Sequence, residues 1–256
     1  MDRAPHALAP SAAPSVAPSP ERVPSTPGTL LVQEARGRIR APWAAGFAGL
    51  LFAILFTAAL WLIRSGPWNA ATDAGLAAIY AQNQEWPLLI GGLYLAPFAG
   101  IMFLWFIAVV RDQIGEREDQ FFATVFLGSG LIFVGTLFAA AALAVAPTVG
   151  VRYLDQGPPT ADYLESVRSF AYTLLFAYAT RAAAVFMFAT ATITLRSRTF
   201  PRAIAWSGYV LGLALLLVVS FFDWIILALP AWVAVLSLVI LRRERAARRH
   251  VEGSSA

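Results

Sequence analysis

Apolar residues in this chain do not alternate with polar ones at the spacing of a half-buried strand or helix; they come in long, nearly unbroken blocks. Six blocks approach or exceed the roughly 20 residues that a helix needs to cross about 30 Å of hydrocarbon at 1.5 Å per residue. They are Pro42–Ile63, Trp86–Val110, Phe121–Ala146, Val167–Leu195, Ala203–Val219 and Trp224–Leu241. The last two are the shortest, and only Ser-Phe-Phe-Asp, ending at Asp223, parts them. Together they are too long for one crossing, so the pattern predicts a tight helical hairpin. The fold class that follows is all-α: a polytopic transmembrane bundle of six spans.

The polar remainder gives the domain organisation. Residues 1–40 open with MDRAPHALAPSAAPSVAPSPERVPSTPGTL, rich in Pro, Ala and Ser. Such a segment buries too little apolar surface to offset its chain entropy, so a disordered tail is expected. No apolar run stands near Met1, and the first block then serves as an uncleaved anchor. The transmembrane domain is 41–242, and 243–256 is a short basic tail.

Orientation follows from the arginines. With both termini in the cytoplasm, fifteen arginines fall on the inner side and only Arg64, Arg152 and Arg168 on the outer, while Arg181 lies within a span. That bias matches the positive-inside rule for an inner (plasma) membrane protein. Tryptophans agree, because this topology puts Trp43, Trp105 and Trp206 at the inner interface and Trp61, Trp68, Trp86 and Trp224 at the outer. Trp232 alone is placed deep.

Composition removes several chemistries. The chain is 59% hydrophobic and 13% charged, well outside the balance of a soluble domain. It has no cysteine, so disulfides, thiolate metal sites and cysteine nucleophiles are excluded. Its histidines, His6 and His250, lie in the tails, which leaves Ser129 in the Gly-Ser-Gly of 128–130 without a base and the spans without histidine for zinc or haem. No acids recur through the spans, so there is no proton relay. The carboxylates of RDQIGEREDQ (111–120) read as helix-flanking charges, with Asp119 a plausible N-cap, better than as a metal site. The reading is therefore non-enzymatic, with no cofactor and no metal. The basic character points to anionic lipids at the cytoplasmic face and not to nucleic acid.

One residue resists the pattern. Arg181 stands at the middle of the fourth block, where an arginine costs roughly 2.5–3.5 kcal/mol on insertion scales. It is expected to face the bundle interior, near Tyr178. Asp223 is the only acid that could pair with it, and does so only if the hairpin sits sunken; otherwise carbonyls, hydroxyls such as that of Thr180, or an anionic ligand must serve. Arg181, Tyr178 and Asp223 are the candidate ligand-binding residues.

Small residues at four-residue spacing, among them Gly92/Ala96/Gly100, Gly135/Ala139, Ala45/Gly49 and Gly208/Gly212, suit close helix packing. Most should meet helices of the same chain; Gly208/Gly212 is a candidate homodimer surface. Pro97 and Pro230 lie inside spans and should disturb them locally. The loops Ser65–Glu85 and Pro147–Ser166 are long enough to cap the bundle, with the fourth helix rising from near Thr160.

RSRTFPRAIAWSGYVLGLALLL, FFDWIILALPAWVAVLSLVILRR and RDQIGEREDQFFATVFLGSG resemble stretches of bacterial, actinobacterial-type six-span integral membrane proteins of unknown function. The resemblance implies six spans and brings no active residues. The expected role is an accessory or scaffolding component of the cell envelope, with a membrane partner protein or a second copy as company. The alternative is a small transporter or lipid- and anion-binding protein that uses Arg181.

Overall fold

The computed structural model describes residues 27–68, 72–114, 120–197, 201–217 and 223–253, and among them there is helix and no strand. The chain divides into two units, Met1–Arg36 and Gly37–Ala256. The first contributes the opening turns of α1 (Pro27–Arg64), whose backbone is helical from Pro27. Pro27 stands at the first helical position, where its missing N–H costs nothing. Residues 1–26 lie outside the described residues, and all that follows concerns the second unit.

Five helical stretches are long and apolar enough to cross a membrane: Gly46–Arg64, Trp86–Arg111, Phe121–Tyr153, Ala161–Arg196 and Trp224–Arg243. This is an integral membrane protein. Its rods are longer than their apolar blocks. The second runs through α3 (Trp86–Leu89), a π-helical turn (Ile90–Leu95) and α4 (Ala96–Ile114). The third is α5 (Gln120–Tyr153), which continues through Pro147. The fourth is α6 (Ala161–Thr173), a second π-turn (Leu174–Ala179) and α7 (Thr180–Ser197). The stretch read as the fifth span is α8 (Arg202–Leu217), only 16 residues and about 24 Å long. After it a 3-10 turn (Asp223–Leu227) leads into α9 (Ala228–Gly253).

The first π-turn has a local cause. Pro97 has no N–H to give, and its ring crowds the carbonyl one turn back. The backbone slips by one residue just before it, and the Ala96 N–H reaches Gly91 across five residues. The second π-turn has no proline, and its bonding is described below.

Beyond the rods, at what we call the cap end, a polar lid is built from the short α2 (Asp73–Ala81), the last turns of α5 and the first turns of α6. Leu76, Tyr80 and Leu164 form its own buried cluster. Thr160 is the N-cap of α6, as the sequence suggested, and accepts from the Tyr163 N–H. Asp73 Oδ1 accepts from the Ala161 N–H at 2.8 Å and ties α2 to α6. Asp155, in the left-handed region at φ 53°, turns the chain off α5.

Below the cap, a layer of phenylalanines fills the bundle. Phe52 and Phe56 of α1, Phe103 and Phe106 of α4, Phe126 and Phe133 of α5 and Phe186 of α7 are all essentially buried. The rings of Phe103 lie 5.1 Å from Phe133 and 5.0 Å from Phe186, and that of Phe126 lies 4.9 Å from Phe186. In hydrocarbon such packing gains no hydrophobic free energy over lipid contact, so its stability is dispersion and shape fit.

Shape fit depends on the glycines. A methyl at Gly49 would overlap Ser237 Oγ of α9 and the ring of Phe106, and one at Gly92 would overlap Val145. Gly208 and Gly212, the candidate dimer pair, face inward instead. Their added methyls would meet Trp232 and Ala191 in the first case and the Ala184 carbonyl in the second. Trp232 is buried, as expected, and its indole N–H points at Ser207 Oγ at 3.3 Å. Exposed tryptophans mark both ends of the rods, Trp61, Trp86 and Trp224 at the cap end and Trp105 and Trp206 at the other.

Gly49→Val should therefore cost about 1–3 kcal/mol by overpacking. Gly128→Ala, where nothing lies within 4 Å of an added methyl, should leave the thermal unfolding midpoint in micelles unchanged or raised. Equal losses in both variants would refute this packing scheme.

Candidate functional site

A blind cavity of about 270 Å³ opens beneath the cap between α1, α4, α5, α6 and the second π-turn. Alanines make it: Ala59, Ala96, Ala140, Ala141, Ala144 and Ala171 all line it, where larger side chains would close the gap. Phe56, Leu137 and Phe176 lie deepest along their helices, at the edge of the phenylalanine layer. From Arg64 to Phe56, and from Arg168 to Phe176, the depth is about 12 Å along each helix.

The second π-turn contributes to the wall of this cavity, and the first ends one residue before a lining residue. Ala96 follows directly on the first, and Leu175 and Phe176 belong to the second. Such bulges gather at functional sites because they shift a wall's register by one residue without breaking the rod.

The rim is cationic. Arg64, the last residue of α1, and Arg168 of α6 both line the opening and are exposed to solvent. Arg168 Nη1 donates to the Trp68 carbonyl at 3.3 Å, and the Trp68 indole donates to the Ile63 carbonyl at 2.5 Å. Arg64 lies 5.4 Å from the centroid of the Trp224 ring, a cation–π contact that steadies it at the edge. Two guanidiniums above an apolar slot match an anionic head and a hydrocarbon tail.

A second polar cluster clasps the cap beside the cavity. Glu85 is fully buried and forms an ion pair with Arg152, whose Nε donates to Oε1 at 2.5 Å. Arg152 Nη2 also donates to the Tyr80 carbonyl at 2.8 Å. The Tyr80 hydroxyl shares a hydrogen bond of 3.0 Å with Thr148 Oγ1. Glu85 Oε2 has no partner among the described residues. Burial pushes the Tyr80 phenol up from its ordinary 10.0, helped by the charge of Glu85 and opposed by the Thr148 bond and Arg152.

The sequence-predicted residues lie elsewhere. Arg181 is only half-buried and sits in a shallow groove on the outer surface of the bundle, between α5 and α7, together with Tyr178. That corrects its expected place in the bundle interior. Tyr178 is 61% exposed and turned outward. Asp223 opens the 3-10 turn, and its side chain lies outside the described residues. The partners that Arg181 does have are carbonyls of the second π-turn. The Thr180 N–H reaches back to the Leu175 carbonyl and skips Phe176. The Thr180 hydroxyl takes the Phe176 carbonyl at 2.5 Å, and Arg181 Nη1 donates to the Ala177 carbonyl at 2.5 Å. Ser129 turns its hydroxyl onto the Val125 carbonyl at 2.6 Å, a bond within its own helix. Among the described residues no group of three or more His, Cys, Asp or Glu could hold a metal. Most of the acidic 111–120 segment, Asp119 included, lies outside them.

The sequence reading missed Arg64, Arg168 and the Glu85–Arg152 pair as a site. The signal was present: Arg64, Arg152 and Arg168 are the three arginines that depart from the basic-side pattern. Comparison with protein-family models, curated proteins and solved structures finds no match.

The clasp is testable apart from any ligand. Arg152→Met should cost about 3 kcal/mol, because it leaves the buried Glu85 carboxylate unpaired, and Glu85→Gln, which leaves the partly exposed Arg152 beside an amide, should cost less. Combining Glu85→Leu with Arg152→Met should recover much of that loss in thermal unfolding. A raised phenol pKa favours the protonated native state, so the stability it contributes is complete below about pH 10 and lost as pH rises through the folded value. Tyr80→Phe should remove that alkaline increment.

Proposed function

We propose that this protein binds an amphiphilic anion at the cap end of a six-span bundle, as a binding component of the membrane and not an enzyme. The single observation that carries the reading is the blind, alanine-walled slot beneath Arg64 and Arg168. The apolar tail gains little by leaving the bilayer for a slot of the same polarity. Selection therefore rests on the head, through charged hydrogen bonds of about 1.5–3 kcal/mol each, and on the slot's narrow bore. Anion binding was expected at Arg181; the cavity supports it at Arg64 and Arg168 instead. The phenylalanine layer closes the slot below, which favours capture and presentation over passage through the bundle.

In this proposal α8 and α9 form the fifth and sixth crossings, both termini are cytoplasmic and the cap lies outside. The arginine bias supports that orientation, and the exposed tryptophans at both ends support rods that reach both interfaces.

A fluorescent fatty-acid analogue, with its uncharged alcohol as reference, tests the site in the full-length reconstituted chain. The acid should bind at least tenfold more tightly than the alcohol, and Arg168→Gln should reduce it to the alcohol's level. Ala140→Leu, which fills the slot, should weaken both probes. Equal binding of acid and alcohol, or indifference to Arg168→Gln, would remove the proposal. Reporter fusions at the two ends check the topology: both should report the cytoplasm.

A further inference from the structure

Arg181 presents a different problem from the rim arginines. It lies about 20 Å along the helix from Arg168 and about 22 Å from Arg196, the cations that flank its span. The two flanks are together about 42 Å apart, so a centred hydrocarbon slab of about 30 Å leaves Arg181 well inside it. A guanidinium carries five N–H donors. Here Nη1 alone is engaged, with the Ala177 carbonyl at 2.5 Å and the Phe176 carbonyl at 3.5 Å. Nε and Nη2 make no hydrogen bond among the described residues. They belong to a half-buried side chain in a groove that faces away from the bundle core. A cation so placed needs an acceptor that lipid tails cannot supply.

The groove beside it has an uncommon floor. Gly128 lines it, and Gly135 follows two helical turns later on the same face of α5. A methyl built on either glycine meets nothing within 4 Å, whereas those on the inward glycines overlap their neighbours. Ile132, between them, is 61% exposed, and Tyr178 is equally so across the groove. Packing within this chain does not use these two glycines. They leave the α5 backbone open to close approach by another helix.

From the charge and the open glycines together, we infer that the α5–α7 groove docks a transmembrane helix of a different protein, one that carries an aspartate or glutamate at the depth of Arg181. A second copy cannot serve, because none of the six apolar blocks contains an acid. A lipid phosphate is the other anion at hand, but its level is the interface and not the slab interior. The partner helix lies along Gly128 and Gly135 and brings its carboxylate onto Nε and Nη2. This interaction is independent of the cap-end cavity, which Arg181 does not line.

The test uses the full chain, dye-labelled and reconstituted in phosphatidylcholine vesicles, with a labelled single-span leucine-rich peptide as probe. The peptide carries one central aspartate, asparagine or leucine. Energy transfer should show the aspartate peptide associating roughly tenfold more tightly than the leucine peptide, with asparagine between. Arg181→Leu should abolish that difference, and Gly128→Leu should weaken binding of the aspartate peptide. Equal association of the three peptides with the unaltered protein would overturn the inference without recourse to any variant. So would displacement of the aspartate peptide by phosphatidylglycerol, which would make the groove a lipid site. Arg181-dependent self-association of the protein in the absence of peptide would overturn it in favour of a second copy.

Discussion

Hydrocarbon offers a backbone no hydrogen-bond partners, and this constraint shapes nearly every irregularity in the molecule. Where the rods depart from α-helix, the freed groups are taken up locally. At the first π-turn, the Ala96 N–H passes over the nearer carbonyl to Gly91. At the second, the Thr180 hydroxyl and the Arg181 guanidinium attend the carbonyls of Phe176 and Ala177. Threonines elsewhere do the same within their own helix, as Thr57 does with Ala53 and Thr190 with Phe186. The ion pair of buried Glu85 with partly exposed Arg152 sits at the cap end, where α3 begins and α5 is ending.

Close packing is the second consequence of the same solvent. Leucine gains nothing by touching leucine that it would not gain from lipid, so cohesion comes from fit. Glycines at 46, 49, 92, 100, 208 and 212 admit neighbouring helices, and interlocked phenylalanines fill the space below the cap. The cavity is the place where this filling stops. Six alanines from several helices line it, with Phe56, Leu137 and Phe176 at its deep end. An unfilled volume lined by small residues forfeits contacts that one or two leucines would restore. The shape thus sets a stability cost against room for a guest, and the second π-turn places Leu175 and Phe176 where a straight helix would not.

Much of the fold was legible because hydropathy blocks report directly on the solvent. Five rods, the start of α6 at Thr160, the deep Trp232 and the exposed tryptophans at both ends all follow from the sequence. Rod lengths were less legible. α5 carries on through Pro147 to Tyr153 because its last turns pack in the cap rather than in lipid, and hydropathy does not see that support. The site was less legible still. Arg181 stood out by depth alone, yet depth does not say which side of a helix looks inward. On the rod of α6 and α7, Phe176, Ala179, Ala183 and Met187 take the inner face and leave Tyr178 outside. Arg64 and Arg168 were visible only as a charge count, since the cavity they border joins residues more than a hundred positions apart.

The arginines then sort by what surrounds them rather than by type. At the cap end, Arg64 and Arg168 are exposed and lean on aromatic and carbonyl neighbours, which hold two guanidiniums at the mouth of the cavity. Arg152 has given its donors to Glu85 and Tyr80 and serves the cap's geometry. Arg181 has no carboxylate partner among the described residues, only carbonyls of its own helix, of which that of Phe176 also accepts from the Thr180 hydroxyl. Neutralising it from solution would require dragging an anion through lipid, whereas a second helix delivers the charge already desolvated and folded. The same residue type therefore supports small-molecule capture at one depth and helix recognition at another, and it is the local solvent that separates the two.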